Sequence, residues 1–232
     1  MNPTLTTRMD NLRRRMAETS TDLVAIGPSS HMRWLADLSP HGDERPVMLL
    51  VSQTYAGFLM PALNVDSSRQ HTDLPFFPWT DADGPSAALE QLIDATGISR
   101  IAPSIVLDET MRTDFSLLLL DALPGAKRRF TQDTVGYLRS RKDEDEYRRL
   151  KAAHLLNDRA VEAAFVALKP GMTEIEVASF IGDFYKANGA TTEFCSVCFG
   201  PNGAFPHHHT GVTQLKAGDA VLIDTGCRLD GY

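Results

Sequence analysis

The sequence has few cysteines, no surplus of positive charge and no long apolar run, and each shortage removes a class of protein. Three cysteines in 232 residues are too few, and too odd a number, for a disulfide framework. Cys195 and Cys198 have the C-x-x-C spacing of redox and zinc motifs, but they sit in the strand-like run Phe194-Cys-Ser-Val-Cys-Phe199. Residues three apart on a strand point to opposite faces, so the two thiols are expected to diverge. No second Cys/His pair stands at zinc-ribbon spacing, and plain buried thiols in a reducing cytosol are the expectation. The formal net charge of −7 argues against nonspecific binding to nucleic acid or to an anionic membrane. No apolar run approaches the roughly 20 residues that span a bilayer. Residues 1–18 carry Arg8, Arg13, Arg14 and Arg15 without an apolar core behind them, which predicts an amphipathic first helix rather than a secretory leader. A cytoplasmic protein is expected.

What is present divides the chain in two. The length suits one large domain or two modest ones. Up to residue 137, helix-like and strand-like segments alternate. Leu5, Met9, Leu12 and Met16 recur at helical spacing, Leu23-Val-Ala-Ile26 is a short apolar strand, and Ser29 or Ser30 can cap a short helix. Val47-Met-Leu-Leu-Val51 and Tyr55-Ala-Gly-Phe-Leu-Met60 read as neighbouring strands. A helix through Leu89, Leu92 and Ile93 closes at Gly97, and Ile105-Val-Leu107 precedes another helix over 111–123. This alternation predicts a layered α/β domain. It holds no chemical motif: Trp34, Trp79, His31, His41 and His71 are scattered among polar and turn residues, as surface or domain-interface side chains would be.

Val135-Gly-Tyr-Leu-Arg-Ser-Arg-Lys142 marks a change of pattern, which puts one domain at 1–137 and a second at 138–232. The four acids Asp143-Glu-Asp-Glu146 open a helix, where they complement its dipole. Its expected apolar stripe runs through Tyr147, Leu150, His154, Asn157, Val161, Ala164 or Phe165, and Leu168. Lys169-Pro-Gly171 stops it. Thr173-Glu-Ile-Glu176 is a capping box opening a second helix through Ile175, Val177, Phe180, Ile181 and Phe184. Strands around 194–199 and 220–224 follow, an α+β order. Between them lies Gly200-Pro-Asn-Gly-Ala-Phe-Pro-His-His-His-Thr210. Carboxylate oxygen and imidazole nitrogen are both good ligands for Mn, Zn or Co. Asp224, at the end of its apolar strand, is therefore either a metal ligand or the cap of a turn made with Gly226. The three histidines form either a loose metal patch or one functional residue with two passengers.

Taken in order, Leu168-Lys-Pro-Gly-Met-Thr-Glu174, Gly200-Pro-Asn-Gly-Ala-Phe-Pro-His207, Leu215-Lys-Ala-Gly-Asp-Ala-Val-Leu-Ile-Asp-Thr-Gly226 and Asp230-Gly-Tyr232 resemble the pita-bread metallopeptidases. That family comprises Xaa-Pro aminopeptidases, prolidases and methionine aminopeptidases, with the metal-free creatinases as cousins. Leu138-Arg-Ser-Arg-Lys-Asp-Glu-Asp-Glu-Tyr147 is similar to the linker and first helix of the proline-specific branch. The resemblance implies a creatinase-like α/β amino-terminal domain followed by the first part of an α+β pita-bread domain. It makes Asp224 the first of two aspartates that hold two divalent ions (Mn, Zn or Co). It makes His207 the histidine that meets the bound peptide, and gives His208 and His209 no required position. The second aspartate, a histidine and two glutamates of the pattern fall past Tyr232, and Asp230 comes too early to be that aspartate. The implied activity is hydrolysis of peptides with proline after the scissile bond, by a homodimer. A creatinase-like amidinohydrolase or lyase, or a noncatalytic member of the fold, are the alternatives. Residues 1–232 alone are expected to hold no stable ion pair, to be inactive, and to associate through an apolar edge at 220–224.

Overall fold

The computed structural model describes residues 3–232, and the chain divides into two compact units, Met1–Arg141 and Lys142–Tyr232. The first is built on a six-stranded sheet. In chain order its elements are α1 (Pro3–Glu18), β1 (Leu23–Ile26), α2 (Ser30–Ala36), β2 (Met48–Val51), β3 (Ala56–Pro61), α3 (Ala62–Ser68), β4 (Phe76–Trp79), α4 (Ser86–Thr96), β5 (Ser104–Leu107), α5 (Thr113–Ala122), β6 (Lys127–Phe130) and α6 (Val135–Arg139). The strand order is β4-β3-β2-β1-β5-β6. The β1/β2 and β2/β3 pairs are antiparallel; β1/β5, β5/β6 and β3/β4 are parallel.

The central strands are apolar throughout because both faces of the sheet are covered. Alternate residues go to opposite cores. Val24, Ile26, Leu49, Val51, Phe58 and Val106 meet Met9, Leu12 and Met16 of α1 with Met32 and Leu35 of α2. Leu23, Ala25, Met48, Leu50, Leu59 and Ile105 meet Leu89, Leu92 and Ile93 of α4 with Phe115 and Leu119 of α5. Ser29 caps α2, accepting from the His31 and Met32 amides, and α4 ends on Gly97 at φ 68°, where a Cβ would be strained.

Two expectations for this unit are corrected. Trp79 is a core residue, not a surface one: its ring is buried and its Nε1 donates to the Pro46 carbonyl at 3.0 Å. His31 is buried too, among charged neighbours. The outer strands β4 and β6, with α3 and α6, complete the unit. β6 reads Lys-Arg-Arg-Phe, and a polar edge strand of this kind carries no apolar signature.

In the second unit, α7 (Glu144–Ala167) and α8 (Glu174–Ala187) pack on the antiparallel pair β7 (Thr191–Phe199) and β8 (Val221–Arg228). Both helices begin with capping boxes, Asp143 with Glu146 and Thr173 with Glu176. The α7 stripe lies one position before the expected one at 146, 153, 156 and 160, and meets it at Ala164 and Leu168. Glu146, Ala153, Leu156, Ala160 and Ala164 are buried, whereas Tyr147, His154 and Phe165 are exposed. Three of the inward residues are alanines, which let the helix approach its neighbours closely, and Leu156 fills the space between Ala153 and Ala160. On the sheet, Cys195, Val197, Phe199, Val221, Ile223 and Cys227 join the helix-side core. Cys198, by contrast, lies toward Ser196 Oγ at 3.6 Å, so the C-x-x-C thiols diverge. Burial pushes the Cys195 thiol up, away from reactivity.

β8 does not end at Asp224. It runs on through Gly226 to Arg228, with Asp224 opposite Ser196 and Gly226 opposite Phe194. Gly226 answers to packing rather than to a turn: a Cβ there would lie 2.8 Å from Phe194 Cε1, so the half-exposed ring would have to move aside to admit one. The turn comes later, at Asp230 (φ 49°) and Gly231 (φ 87°), closed by reciprocal bonds between Leu229 and Tyr232. Positive φ at both central residues is the hairpin pattern that Asp-Gly favours. Among the described residues no helix is long and apolar enough to cross a membrane.

Candidate functional site

The site grows from the first turn of α8. A helix start leaves its first amides without intrahelical partners. Here the Glu174 amide donates to Thr213 O (3.2 Å) and the Ile175 amide to Gly211 O (3.0 Å), which docks the segment after the histidines on the helix end. Glu174 itself is fully buried, with 0% of its surface exposed. Its Oε1 accepts from the Phe199 amide (2.9 Å) and Asn202 Nδ2 (2.8 Å), and its Oε2 from His208 Nε2 (2.9 Å) and the Gly211 amide (2.8 Å). Burial pushes this carboxyl up, but the bonds from Asn202, His208, Phe199 and Gly211 outweigh it and hold the group at about 2. Thr210 closes the loop onto β7, accepting from the Val197 amide at 2.9 Å.

The loop opens with a turn of 3-10 helix, Gly200–Ala204. A Cβ on Gly203 would lie 3.7 Å from Leu222 Cβ, so this turn covers the β8 face opposite the helices. Leu222 and Asp224, two residues apart, share that face. Both are exposed, Leu222 at 43%. The Asp224 carboxylate makes no hydrogen bond or ion pair with the other described residues. Residues 205–209 line an open depression of about 590 Å³; His207 is exposed there, while His208 turns inward to Glu174. Behind Asp224, on the helix side, Thr225 Oγ1 lies 3.1 Å from the buried Tyr185 hydroxyl, which donates to Asn157. This network anchors the strand from its covered face.

Of the residues singled out from the sequence, Asp224 and His207 thus lie on accessible surface, and neither makes a hydrogen bond or ion pair with the other described residues. His208, expected to be a passenger, is the cross-link to Glu174. From the sequence Glu174 reads only as part of a helix start, although it stands three residues before Val177 and seven before Ile181, in phase with the buried stripe. The described residues hold one group of His, Asp and Glu close enough to share an ion, His31, Asp108 and Glu109, in the first unit. That group already contains a cation, since Arg139 Nη1 lies 2.8 Å from His31 Nδ1, and burial followed by the Arg139 charge holds His31 below its ordinary pKa. Asp108 accepts from Ser29 Oγ and Thr110 Oγ1, and Glu109 from Thr131 Oγ1. It is a satisfied polar cluster. Around Asp224 the described residues offer one carboxylate, fewer donors than two ions require.

Residues 148–232 match metallopeptidase family M24, and residues 8–139 match the creatinase/prolidase N-terminal domain. The chain belongs to family M24, with the creatinase/prolidase N-terminal domain ahead of the peptidase part, and its second unit is the first part of a pita-bread domain. A Mycobacterium tuberculosis protein named "Probable dipeptidase PepE" is 32% identical over 209 residues, covering 88% of this chain and 54% of that protein. The crystal structure of dipeptidase PepE from Mycobacterium ulcerans superposes with a TM-score of 0.89 at 25% identity, over 98% of this chain and 61% of that one. A dipeptidase from Pyrococcus horikoshii gives 0.83 at 26%, over 94% and 60%. The chain spans about half the length of the curated relatives it matches.

Proposed function

We propose that the protein carrying this chain is a metal-dependent peptidase that hydrolyses Xaa-Pro bonds, working as a cytoplasmic homodimer. Asp224 is one of the carboxylates that hold the ions, and His207 is the histidine that meets the peptide. The observation that carries the reading is the exposed face of β8. There an uncommitted carboxylate stands at a fixed strand position, and the loop that bears His207 begins over the same face. A divalent ion held there supplies Lewis acidity toward the scissile carbonyl at neutral pH. The reading requires further carboxylate and imidazole donors from outside residues 3–232, because Asp224 alone leaves an ion largely hydrated and weakly held. His207, one residue beyond Pro206 and exposed, is available to donate a hydrogen bond to the carbonyl oxygen as charge develops on it.

The test uses the full-length protein with Mn, Zn or Co, an Xaa-Pro dipeptide and a longer peptide with proline second, assayed beside creatine. Asp224→Asn is expected to lower bound metal. His207→Ala is expected to leave metal content unchanged and to lower kcat about a hundredfold, or about 3 kcal/mol, as loss of a transition-state donor does. Creatine turnover without peptide cleavage would replace the reading with amidinohydrolase chemistry. A larger loss from His209→Ala than from His207→Ala would move the substrate histidine.

A further inference from the structure

The Glu174 carboxylate accepts four hydrogen bonds in the second unit, and the proposed chemistry does not use it. Its donors are spread along the whole histidine loop: Phe199 at the entry, Asn202 in the first turn, His208 near the tip and Gly211 at the exit. A single side chain therefore fixes four points of the segment between β7 and the docked stretch at 211–215, in addition to the 3-10 turn at Gly200–Ala204 and the Thr210–Val197 bond. The same helix end takes the Gly211 and Thr213 carbonyls, so side chain and backbone grip the loop together. His207 is the neighbour of His208. With the His208 ring pinned to Glu174, its backbone is fixed, and His207 is left outward on the adjoining position.

We propose that Glu174 is a positioning residue for the peptide-facing loop, and that it places His207 by anchoring His208. This rests on the reading of His207 given above. The shape of the carboxylate matters as well as its charge. Both oxygens accept two donors each, so a glutamine in its place would turn an amide N–H toward one pair of donors whichever way it flipped. A neutral isostere cannot satisfy the loop.

The experiment combines kinetics and amide exchange in the full-length protein, below the unfolding temperature of every variant. Glu174→Gln is expected to lower kcat for an Xaa-Pro dipeptide by about tenfold to a hundredfold, the scale of a small misplacement, with KM within about threefold. The double variant Glu174→Gln/His207→Ala is expected to be no slower than His207→Ala, because the first change acts through the second residue. The Phe199 and Gly211 amides should exchange at least about tenfold faster in Glu174→Gln, with Ile181 of α8 unchanged. His208→Ala, at a ring one-fifth exposed, should give a smaller kcat loss of the same non-additive kind, and it decides the matter if Glu174→Gln does not fold. Multiplying losses in the double variants, or a fall in stability with kcat intact, would make Glu174 a fold residue only and overturn the proposal. If the wild type cleaves no Xaa-Pro peptide, the proposed function fails. The exchange result then decides the role of Glu174: faster exchange at Phe199 and Gly211 upholds the anchoring, and unchanged exchange removes it.

Discussion

Acid should loosen the second unit before the first, and Glu174 should be the largest single reason. Its carboxyl is held at about 2 in the folded chain, against 4.5 for an ordinary glutamate. A group depressed in this way stabilises the fold at every pH above the unfolded value. The contribution is lost as pH falls from about 4.5 through about 2. At 1.36 kcal/mol per unit the contribution is about 3 kcal/mol, a large share of what a small domain has. Glu176 and Glu193 are depressed in the same direction but are exposed, so the comparison that isolates Glu174 is wild type against Glu174→Gln. The probe has to be local. Both tryptophans, Trp34 and Trp79, lie in the first unit, so their fluorescence does not report on the second. Amide exchange at Ile181 and Val197, or the NMR signals of the buried Tyr185 ring, does. In urea titrations from pH 5 to pH 2, the wild-type second unit should lose about 3 kcal/mol more than the variant. The variant should already be weaker at pH 7, with its carboxylate's donors left partly unpaired. Parallel pH profiles for the two proteins would refute the account, since they would mean that the carboxyl titrates alike folded and unfolded.

Other consequences follow from burial and backbone geometry. Leu12→Ala, at a fully buried position of the first core, should cost about 2–5 kcal/mol in urea unfolding followed by tryptophan fluorescence, whereas Leu155→Ala, at a side chain 54% exposed on α7, should stay within about 0.5 kcal/mol. Thr173→Ala removes the α8 cap and should cost about 1 kcal/mol, read as faster exchange of the Glu176 amide. Gly226→Val puts a branched side chain where a Cβ already meets Phe194 at 2.8 Å; it should destabilise the β7/β8 pair by about 1–3 kcal/mol, with the loss largely recovered in Gly226→Val/Phe194→Ala.

What could be read from the sequence is what periodicity and caps encode. The α1 stripe, the two-faced strands β1 to β3, the Gly97 stop and the α8 capping box all depend on residues a few positions apart. The edges β4 and β6 are polar or contain proline and carry no such pattern. On α7 the apolar count favours large residues, while the inward face holds Ala153, Ala160 and Ala164 beside Leu156, and the alanines allow close approach. From the sequence Asp224 reads as a strand end, because a glycine follows shortly after it. In the structure, that glycine answers to the ring of Phe194 on the neighbouring strand, a contact that only pairing reveals.

Glu174 marks the boundary between what local pattern can and cannot say. Its donors lie 25 to 37 residues away, and no local motif gives their identity. Its need for them was nonetheless written in the helix. Glu174, Val177, Ile181 and Tyr185 follow the spacing of one buried face, and a carboxylate on such a face has to be paired or it would not be charged. The next segments of chain with surplus donors are the Gly/Asn turn and the three histidines. An acid in phase with an apolar stripe, followed by a histidine-rich loop, is therefore a readable sign that the loop is tied to that helix end. Which histidine makes the tie is decided by the fold: it is His208.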